Sequence, residues 1–334
     1  MWCNRGINRV SQREAKGMLE IFKTQDDKTL KTLNINDAKS GSWFNMIDPS
    51  FEEIQKVSLV LDLDESFLKN SLDMDERSRI EYEDGNLLVI TNVPFMDDEG
   101  NFDTLPLGII YTPESIITVS SMENKIIGSF THETAMYFDT RNKTNFMLNI
   151  LFRAAKFYLR YLNIINKHSE RIEDSLKKTT NNKALFQLME VQKSLVYFTT
   201  ALKDNQIVLQ KLLRVANSNS MQSALKFSED DIDLLEDVII ENKQAVEMVE
   251  MHRTILESMM DGFASIINNN VNVIMKFLAA ITIILSIPTM IGTFWGMNVP
   301  APFRENPFGF MIIVTLSIIA AAGAAIYFNK KGMF

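Results

Sequence analysis

Reactive and metal-binding side chains are scarce in this sequence. Its 334 residues include one cysteine, Cys3, and three histidines, His132, His168 and His252, which lie far apart. A single cysteine allows no disulfide within the chain and no CxxC pair, and the dispersed histidines disfavour a zinc site. We find no glycine-rich phosphate loop, no GxSxG and no Ser/His/Asp arrangement, so we predict that the protein is not an enzyme.

Glycine, proline and excess positive charge are also lacking. The chain has 13 glycines and 8 prolines, too few to predict long disordered segments. Its net charge of −8 argues against nucleic acid as a partner. Residues 1–11 contain no apolar core and do not resemble a secretory signal.

The charges are distributed in blocks. Residues 1–142 carry 14 Lys/Arg and 25 Asp/Glu, whereas residues 143–217 carry 13 and 5. Residues 218–270 carry 3 and 11, and residues 271–334 carry 4 and 1. A basic block is therefore followed by an acidic block, and both precede a C-terminal region that is almost without charge.

Two uncharged stretches, of 27 and 24 residues, occupy positions 277–303 and 306–329. About 20 apolar residues cross the hydrocarbon core of a bilayer as a helix, so both stretches predict transmembrane helices. The alternative is a buried helical hairpin in a soluble protein. It is less favoured because soluble core helices are usually shorter, and because Trp295 and Tyr327 stand at segment ends, where interfacial aromatics occur.

The flanking charges predict the orientation of these two helices. Lys276 flanks one end and Lys330 and Lys331 the other, whereas the connecting segment carries only Arg304 and Glu305. Because basic residues favour the cytoplasmic side, both termini are predicted to be cytoplasmic. Residues 296–307 would then form an extracytoplasmic loop and residues 330–334 a basic cytoplasmic tail.

Residues 1–142 alternate between strand-like and helix-like segments, which predicts a cytoplasmic α/β or α+β domain, of which we favour α/β. Strands are expected at 18–23, 43–47, 87–93 and 116–120, where β-branched and aromatic residues are concentrated. Gly85 predicts a hairpin turn over residues 83–86. Asp48-Pro49-Ser50 predicts the start of a helix that runs to about residue 61.

The rest of the chain has helical periodicity. Residues 143–217 predict an antiparallel helical hairpin interrupted near residues 177–182. Ser228 and Asp231 resemble a capping box, and no proline follows until Pro288. A single stalk helix is therefore predicted over residues 228–295, continuing into the first transmembrane helix, with the second over residues 308–329.

Small and polar residues form a seam along the first transmembrane helix. Alternate steps of three and four residues from Asn272 reach Met275, Ala279, Thr282, Ser286, Thr289, Thr293 and Gly296. Such a seam fits either close packing of membrane helices or the lining of a pore shared by several copies. Heptad steps backwards along the stalk are mostly polar and include Asp237 and Asp261. Because a coiled-coil seam would be apolar, this continuation favours a wet axial channel.

The segment Phe294-Trp295-Gly296-Met297-Asn298-Val299-Pro300 follows directly after this helix. It resembles the signature of the CorA family of magnesium channels, an aromatic residue followed by Gly-Met-Asn near the end of the penultimate span. The resemblance implies a homopentamer in a bacterial or archaeal cell membrane. Each subunit would have a cytoplasmic α/β domain, a helical hairpin, a stalk helix that lines the pore and an outer second helix.

The resemblance also implies roles for particular residues. Gly296, Met297 and Asn298 would form the selectivity filter. Asp237 and Asp261 match regulatory carboxylates on the stalk, whereas the family's N-terminal sensor carboxylate aligns with Asn70, with Asp73 and Asp75 close by. Asn272 falls at an inner pore asparagine, Leu278 at a hydrophobic constriction and Ser286 where relatives can present methionine. The expected pore-lining residues are Asn272, Met275, Leu278, Ala279, Thr282, Ser286, Thr289 and Thr293.

The function implied is Mg²⁺ influx driven by the membrane potential and gated by cytoplasmic Mg²⁺ at carboxylates between subunits. Mg²⁺ would be both transported and regulatory, with Co²⁺ as a second cargo. One alternative is transport of Co²⁺, Ni²⁺ or Zn²⁺ instead, which the retained Met297 and the scarcity of His and Cys disfavour. Another is a membrane-anchored sensor that conducts no ions.

Overall fold

A computed structural model describes residues 17–38, 40–178, 182–217, 225–298, 300, 302–303 and 306–333. Of the residues discussed above, 1–11, 179–181, Val299, Arg304 and Glu305 therefore lie outside the described residues, so the predicted interruption of the hairpin near residues 177–182 falls partly outside them. The chain divides into two compact units, residues 1–257 and 258–334.

The first unit contains a seven-stranded mixed sheet. Its spatial order is β2-β1-β3-β7-β6-β5-β4, in which β3 and β7 are parallel and the other neighbours antiparallel. The strands are β1 (Met18–Thr24), β2 (Leu30–Leu33), β3 (Trp43–Ile47), β4 (Arg79–Glu83), β5 (Asn86–Met96), β6 (Phe102–Tyr111) and β7 (Ile116–Ser120).

Helices cover both faces of this sheet. Because successive side chains of a strand point to opposite faces, Leu87 and Val89 join one core and Leu88 and Ile90 the other. The first core includes residues of α3 (Lys143–Lys178), α4 (Asn182–Asn217) and the start of α5 (Glu229–Trp295). The second is closed by α1 (Phe51–Leu61) and α2 (Glu65–Asn70). The result is the predicted α/β fold.

Local signals in the sequence explain where several elements begin. Ser50 accepts a hydrogen bond from Glu53 N at 3.3 Å while Ser50 N donates to Glu53 Oε2 at 2.8 Å, which is a capping box for α1. The predicted box before α5 is confirmed, with Asp231 N donating to Ser228 Oγ at 3.2 Å and Ser228 N to Asp231 Oδ2 at 3.0 Å. Gly85, at φ +81°, completes the predicted hairpin turn between β4 and β5.

Polar contacts fix α5 against the helical hairpin within the first unit. Asn145 Nδ2 of α3 donates to Asp231 Oδ1 at 3.0 Å, and Lys156 of α3 pairs with Glu241. Lys203 of α4 pairs with Glu250 at 2.7 Å. The basic charge of the hairpin and the acidic charge of the stalk, seen as separate blocks in the sequence, therefore meet along these helices.

Asn205 of α4 anchors the hairpin to the sheet. Its Oδ1 accepts hydrogen bonds from Ser78 Oγ at 2.8 Å, Thr91 Oγ1 at 2.9 Å and Asn92 N at 3.0 Å. Its Nδ2 donates at 2.8 Å to Asn92 O, which also accepts from Tyr158 Oη at 2.9 Å. The pairing of β4 with β5 ends at Ile90, two residues before Asn92. The Asn92 N–H and C=O groups therefore have no partner on β4 and form hydrogen bonds with side chains.

Replacing Asn205 by alanine should destabilise the first unit, because it removes four hydrogen bonds and leaves the buried Thr91 hydroxyl without the acceptor that Asn205 provides. We expect a loss of about 3 kcal/mol, or on the order of 10 °C in melting temperature. Thermal unfolding of the detergent-solubilised chain, followed by circular dichroism, measures it. The matched control is Asn163→Ala on the exposed side of α3, which should change the melting temperature little.

His252 of α5 is 8% exposed, and its Nε2 has no hydrogen-bond partner within the described structure. Burial lowers the pKa of His252 below the ordinary 6.5, and the charge of Glu170 on α3 opposes this shift only in part. Below pH 6.5 the unfolded chain therefore takes up a proton that the folded chain resists, and stability falls as the pH is lowered.

We expect His252→Leu to reduce this acid-induced loss of stability. The measurement is the melting temperature of the full chain above and below pH 6.5. His168→Leu, at an exposed position of α3, is the control and should retain the wild-type pH dependence. An unchanged slope in His252→Leu would assign the acid sensitivity to other groups.

The second unit contains the C-terminal part of α5 and α6 (Gly309–Lys330). Both α5 and α6 are long and apolar enough to cross a membrane. Among its described residues only Phe263, Ala280, Gly309 and Ser317 are buried. Two apolar helices with such exposed surfaces need lipid or further protein around them, because water would not solvate them favourably.

Candidate ion pathway and regulatory carboxylates

The hydroxyl groups of the seam all bond to the backbone of α5. Thr282 Oγ1 donates to Leu278 O at 2.8 Å, Thr289 Oγ1 to Leu285 O at 3.1 Å and Thr293 Oγ1 to Thr289 O at 2.7 Å. Ser286 Oγ donates to Ile283 O at 2.8 Å. Each hydroxyl proton is therefore used inside the helix, and the oxygen lone pairs remain as acceptors.

The remaining pore candidates also lie on α5. Asn272, Met275, Leu278, Ala279, Thr282, Thr289 and Thr293 are exposed in the isolated chain, and Ser286 is half-buried. Leu278 supplies the carbonyl that holds the Thr282 hydroxyl, so Leu278 and Thr282 lie one helical turn apart. Pro288 lies within α5 and has no N–H group. The backbone hydrogen bond that residue 288 of a helix would donate to the carbonyl four residues earlier is therefore absent, immediately before Thr289.

The Gly-Met-Asn segment forms the turn in which α5 ends. Gly296 N donates to Gly292 O at 2.9 Å, which is the last bond of the helical ladder. Gly296, Met297 and Asn298 are exposed. Asn298 thus stands directly beyond the end of the helix that carries the hydroxyl seam, at the same end as Thr293.

Two contacts hold the segment between the apolar helices. Trp295 Nε1 donates to Pro302 O at 3.1 Å. Gly309, the first residue of α6, lies so close to Phe303 that a Cβ there would come within 2.0 Å of Phe303 O. Any larger residue at position 309 would displace the chain, so this glycine sets how α6 begins.

The four predicted regulatory carboxylates, Asp73, Asp75, Asp237 and Asp261, are all exposed. Asp73 Oδ1 accepts from Asp75 N at 3.0 Å, which fixes the turn after α2. Asp237 and Asp261 lie on α5, the first in unit one and the second in unit two. In the part of the chain that the structure describes, no group of three or more His, Cys, Asp or Glu side chains is arranged to hold a metal ion.

The structure also shows an acidic cleft that the sequence did not predict. Its volume is about 510 Å³, and Asp75, Asp103 and Asp204 are among the residues that line it. Burial raises the pKa of Asp103, although the Thr104 backbone N–H lowers it in part. These carboxylates come from the turn after α2, from β6 and from α4, so no local spacing could have indicated that they meet.

The sequence model of the CorA-like Mg²⁺ transporter protein family matches residues 38–331 of this chain. The chain belongs to this family. The match covers strands β3 to β7 and helices α1 to α6, so the family assignment predicted from Gly-Met-Asn is confirmed.

Relatives of known name agree with this family assignment. The cobalt/magnesium transport protein CorA of Methanocaldococcus jannaschii is 28% identical over 296 residues, covering 87% of this chain and 90% of that protein. The magnesium transport protein CorA of Helicobacter pylori is 24% identical over 306 residues, covering 87% and 90%. The complete structure of the M. jannaschii CorA matches with a TM-score of 0.80 at 24% identity, covering 95% of this chain and 99% of that one.

The family to which the chain belongs is one of Mg²⁺ transporters, and α5 and α6 are long and apolar enough to cross a membrane. Its fold class is confirmed by the structural match as well as by its own architecture. The roles of the seam, of Gly296–Asn298 and of the four aspartates stay predictions, as do the cytoplasmic orientation and the number of subunits.

Proposed function

We propose that this CorA-family chain forms a homopentameric channel that admits Mg²⁺ to the cytoplasm and closes when cytoplasmic Mg²⁺ is high. Relatives named cobalt/magnesium transport proteins support Mg²⁺ as cargo and Co²⁺ as a second cargo. The observation that carries the proposal is the row of hydroxyl groups on α5 whose protons are bonded within the helix.

This row suits a hydrated cation. Mg²⁺ dehydrates reluctantly, so its bound waters, with their hydrogens pointing outward, are the groups that a pore wall meets. A hydroxyl whose proton is committed to a backbone carbonyl offers only its lone pairs, and it therefore accepts from those waters. Packed around an axis, Thr282, Ser286, Thr289 and Thr293 would form successive rings of acceptors, while the apolar remainder of the helix contacts α6 or lipid.

Asn298 would select the ion at the outer mouth. Its side-chain oxygen and the carbonyls of Gly296 and Met297 can accept hydrogen bonds from water bound to the ion. A ring of these groups from several subunits attracts a cation without stripping its hydration shell. Because Asn298 lies immediately beyond the helix end, the ring would be the first that an entering ion meets.

The membrane potential supplies the driving force. A charge crossing 100 mV gains about 2.3 kcal/mol, so a divalent ion gains about 4.6 kcal/mol. At about 1.4 kcal/mol per factor of ten, this supports accumulation on the order of a thousandfold without ATP. The orientation with both termini in the cytoplasm is supported by exposed Lys276 and Lys330 at the ends of the two apolar segments.

Closure would follow from Mg²⁺ bound between subunits. Asp237 and Asp261 are exposed, and the described part of one chain holds no ready cluster of three metal ligands. A regulatory site at these residues therefore needs further ligands or water from elsewhere, and a neighbouring subunit is the natural source. In the closed state, where the subunits are packed together, bound Mg²⁺ would offset the repulsion between the carboxylates. It would therefore shift the population toward the closed state.

Growth complementation tests transport directly. A bacterium that requires added magnesium should grow without it when it expresses this chain. In the same cells, uptake of Mg²⁺ should be inhibited by Co²⁺ more than by Zn²⁺. Normal membrane expression without rescue would contradict the transport function, and stronger inhibition by Zn²⁺ would assign the channel another ion.

A further inference from the structure

Most of the side chains that α5 buries within the first unit recur at alternate steps of three and four residues. They form one side of the helix, which we call the buried face of α5: Asp231, Leu235, Val238, Asn242, Ala245, Val249, His252 and Leu256. Leu235 and Val238 share a core with residues of α3 and α4, so this face lies against the helical hairpin.

His252 differs from the other polar residues of the buried face because its ring has an unmade hydrogen bond. Asp231 Oδ1 accepts from Asn145 Nδ2 at 3.0 Å, and Asn242 Nδ2 donates to Leu202 O at 3.2 Å. His252 Nε2 is buried without a partner in the part of the chain that the structure describes. The neutral ring leaves this nitrogen unpaired, whereas a protonated ring would bring a charge and a second N–H group to the same buried position.

Charged groups near His252 come from all three helices. They are Glu170 of α3, Lys203 of α4, and Glu250, Arg253 and Glu257 of α5. Lys203 pairs with Glu250 at 2.7 Å. Arg253 pairs with Glu257 at 3.5 Å, so the charges of both pairs are compensated. Glu170 remains as the group that favours a charged imidazole, and because it is exposed it offsets the burial of the ring only in part.

We propose that His252 makes the packing of α5 against the hairpin sensitive to cytoplasmic acidity, so that acid favours the open channel. This inference rests on the proposed function, in which the closed state is the packed one. The buried face and the hydroxyl seam belong to the same continuous helix. Release of the buried face lets water reach both ring nitrogens, so protons bind the released state more strongly and shift the population toward it.

Linkage gives the pH range of this effect. Burial holds the pKa of His252 below 6.5 in the packed state, and access to water returns it toward 6.5. Well above pH 6.5 the ring is neutral in both states, and a change in acidity has no effect. Below pH 6.5 the released state gains a proton that the packed state resists. About one pH unit lower, the equilibrium between the two states can therefore shift by up to about tenfold.

Mg²⁺ influx into liposomes that contain the full chain tests the proposal, at a fixed potential and at internal pH values about one unit above and below 6.5. In the wild type, the internal Mg²⁺ concentration that halves influx should rise about threefold or more at the lower pH. His252→Leu cannot take up a proton, so it should still close with Mg²⁺ but show no such rise. His168→Leu, at an exposed position of α3, should show the wild-type rise.

The outcomes separate this inference from the proposed function. Influx that is absent or insensitive to internal Mg²⁺ at both pH values would contradict the proposed function. If Mg²⁺ closes the channel equally at both pH values, or if the rise persists in His252→Leu, the role of His252 is wrong and the channel function stands.

Hydrogen exchange of the backbone amides of residues 249–256 tests the packing of α5 without transport. At each pH the exchange rate of the wild type is divided by that of His252→Leu, which removes the intrinsic effect of pH on exchange. This ratio should increase about threefold or more from the higher to the lower pH, because only the wild type gains a proton on release. A ratio that does not change with pH would overturn the proposal.

Discussion

Asn298→Ala should abolish rescue of a magnesium-requiring bacterium and lower Mg²⁺ uptake about tenfold or more. Each subunit would lose one side-chain acceptor at the outer mouth. A hydrogen bond contributes about 0.5–1.5 kcal/mol, and a ring of copies loses several at once. A tenfold decrease in uptake corresponds to only about 1.4 kcal/mol. The effect should therefore remain measurable even if the Gly296 and Met297 carbonyls replace some of the lost hydrogen bonds.

The matched control for this variant is Asn329→Ala. Asn329 is an exposed asparagine near the end of α6, so the same truncation is made at the other end of the membrane-spanning unit. Uptake should stay at the wild-type level in Asn329→Ala, with both variants present in the membrane at equal amounts. If Asn298→Ala transports as well as Asn329→Ala does, the selectivity role of Gly296–Asn298 is wrong.

The double variant Asp237→Asn/Asp261→Asn should leave the channel open at internal Mg²⁺ concentrations that close the wild type. A neutral amide binds Mg²⁺ far more weakly than a carboxylate does, so bound Mg²⁺ no longer favours the closed state. We expect the internal Mg²⁺ concentration that halves influx to rise at least about tenfold, the effect of roughly 1.4 kcal/mol of lost coupling.

Asp230→Asn/Asp233→Asn removes the same charge from exposed positions in the first turns of α5. This control should retain wild-type inhibition, because general charge reduction is not the mechanism proposed. If inhibition is unchanged in Asp237→Asn/Asp261→Asn, or equally weakened in both double variants, these two aspartates are not the specific sensors. Neither result would affect the prediction for Asn298.

The long helices were predictable because their signals are local. The apolar periodicity, the Ser228–Asp231 box and the uncharged stretches each lie within a few turns of sequence, and the structure has α3, α4, α5 and α6 at those places. The hydroxyl seam was visible for the same reason. The hydrogen bonds of the seam could not be predicted, because a sequence does not show whether a threonine hydroxyl donates to its own helix or to a neighbouring one.

The strand β6 shows why part of the sheet was missed. Its sequence contains Pro106 and Gly108, which argue against a strand. The pairing with β7 begins only at Leu107, so Pro106 has a neighbouring strand on one side alone. Gly108 lies where a Cβ would come within 1.8 Å of Ser71 Oγ, so its lack of a side chain is required by α2 packing.

The acidic cleft and the Asn45–Thr118 hydrogen bond both depend on contacts between distant residues. Asn45 and Thr118 are 73 residues apart, and they meet only because β3 and β7 are adjacent parallel strands. Asp103 and Asp204 meet because α4 lies across the sheet. Sequence periodicity describes one element at a time, so it predicts which face a residue occupies but not which residue of another element it will face.

The most direct test of the channel is Mg²⁺ influx into liposomes that contain the purified protein, at a fixed inside-negative potential and several internal Mg²⁺ concentrations. We expect rapid influx when internal Mg²⁺ is low, an increase in influx with the potential, and a decline as internal Mg²⁺ rises. Influx no greater than that into protein-free liposomes, at every potential and internal concentration, would contradict it.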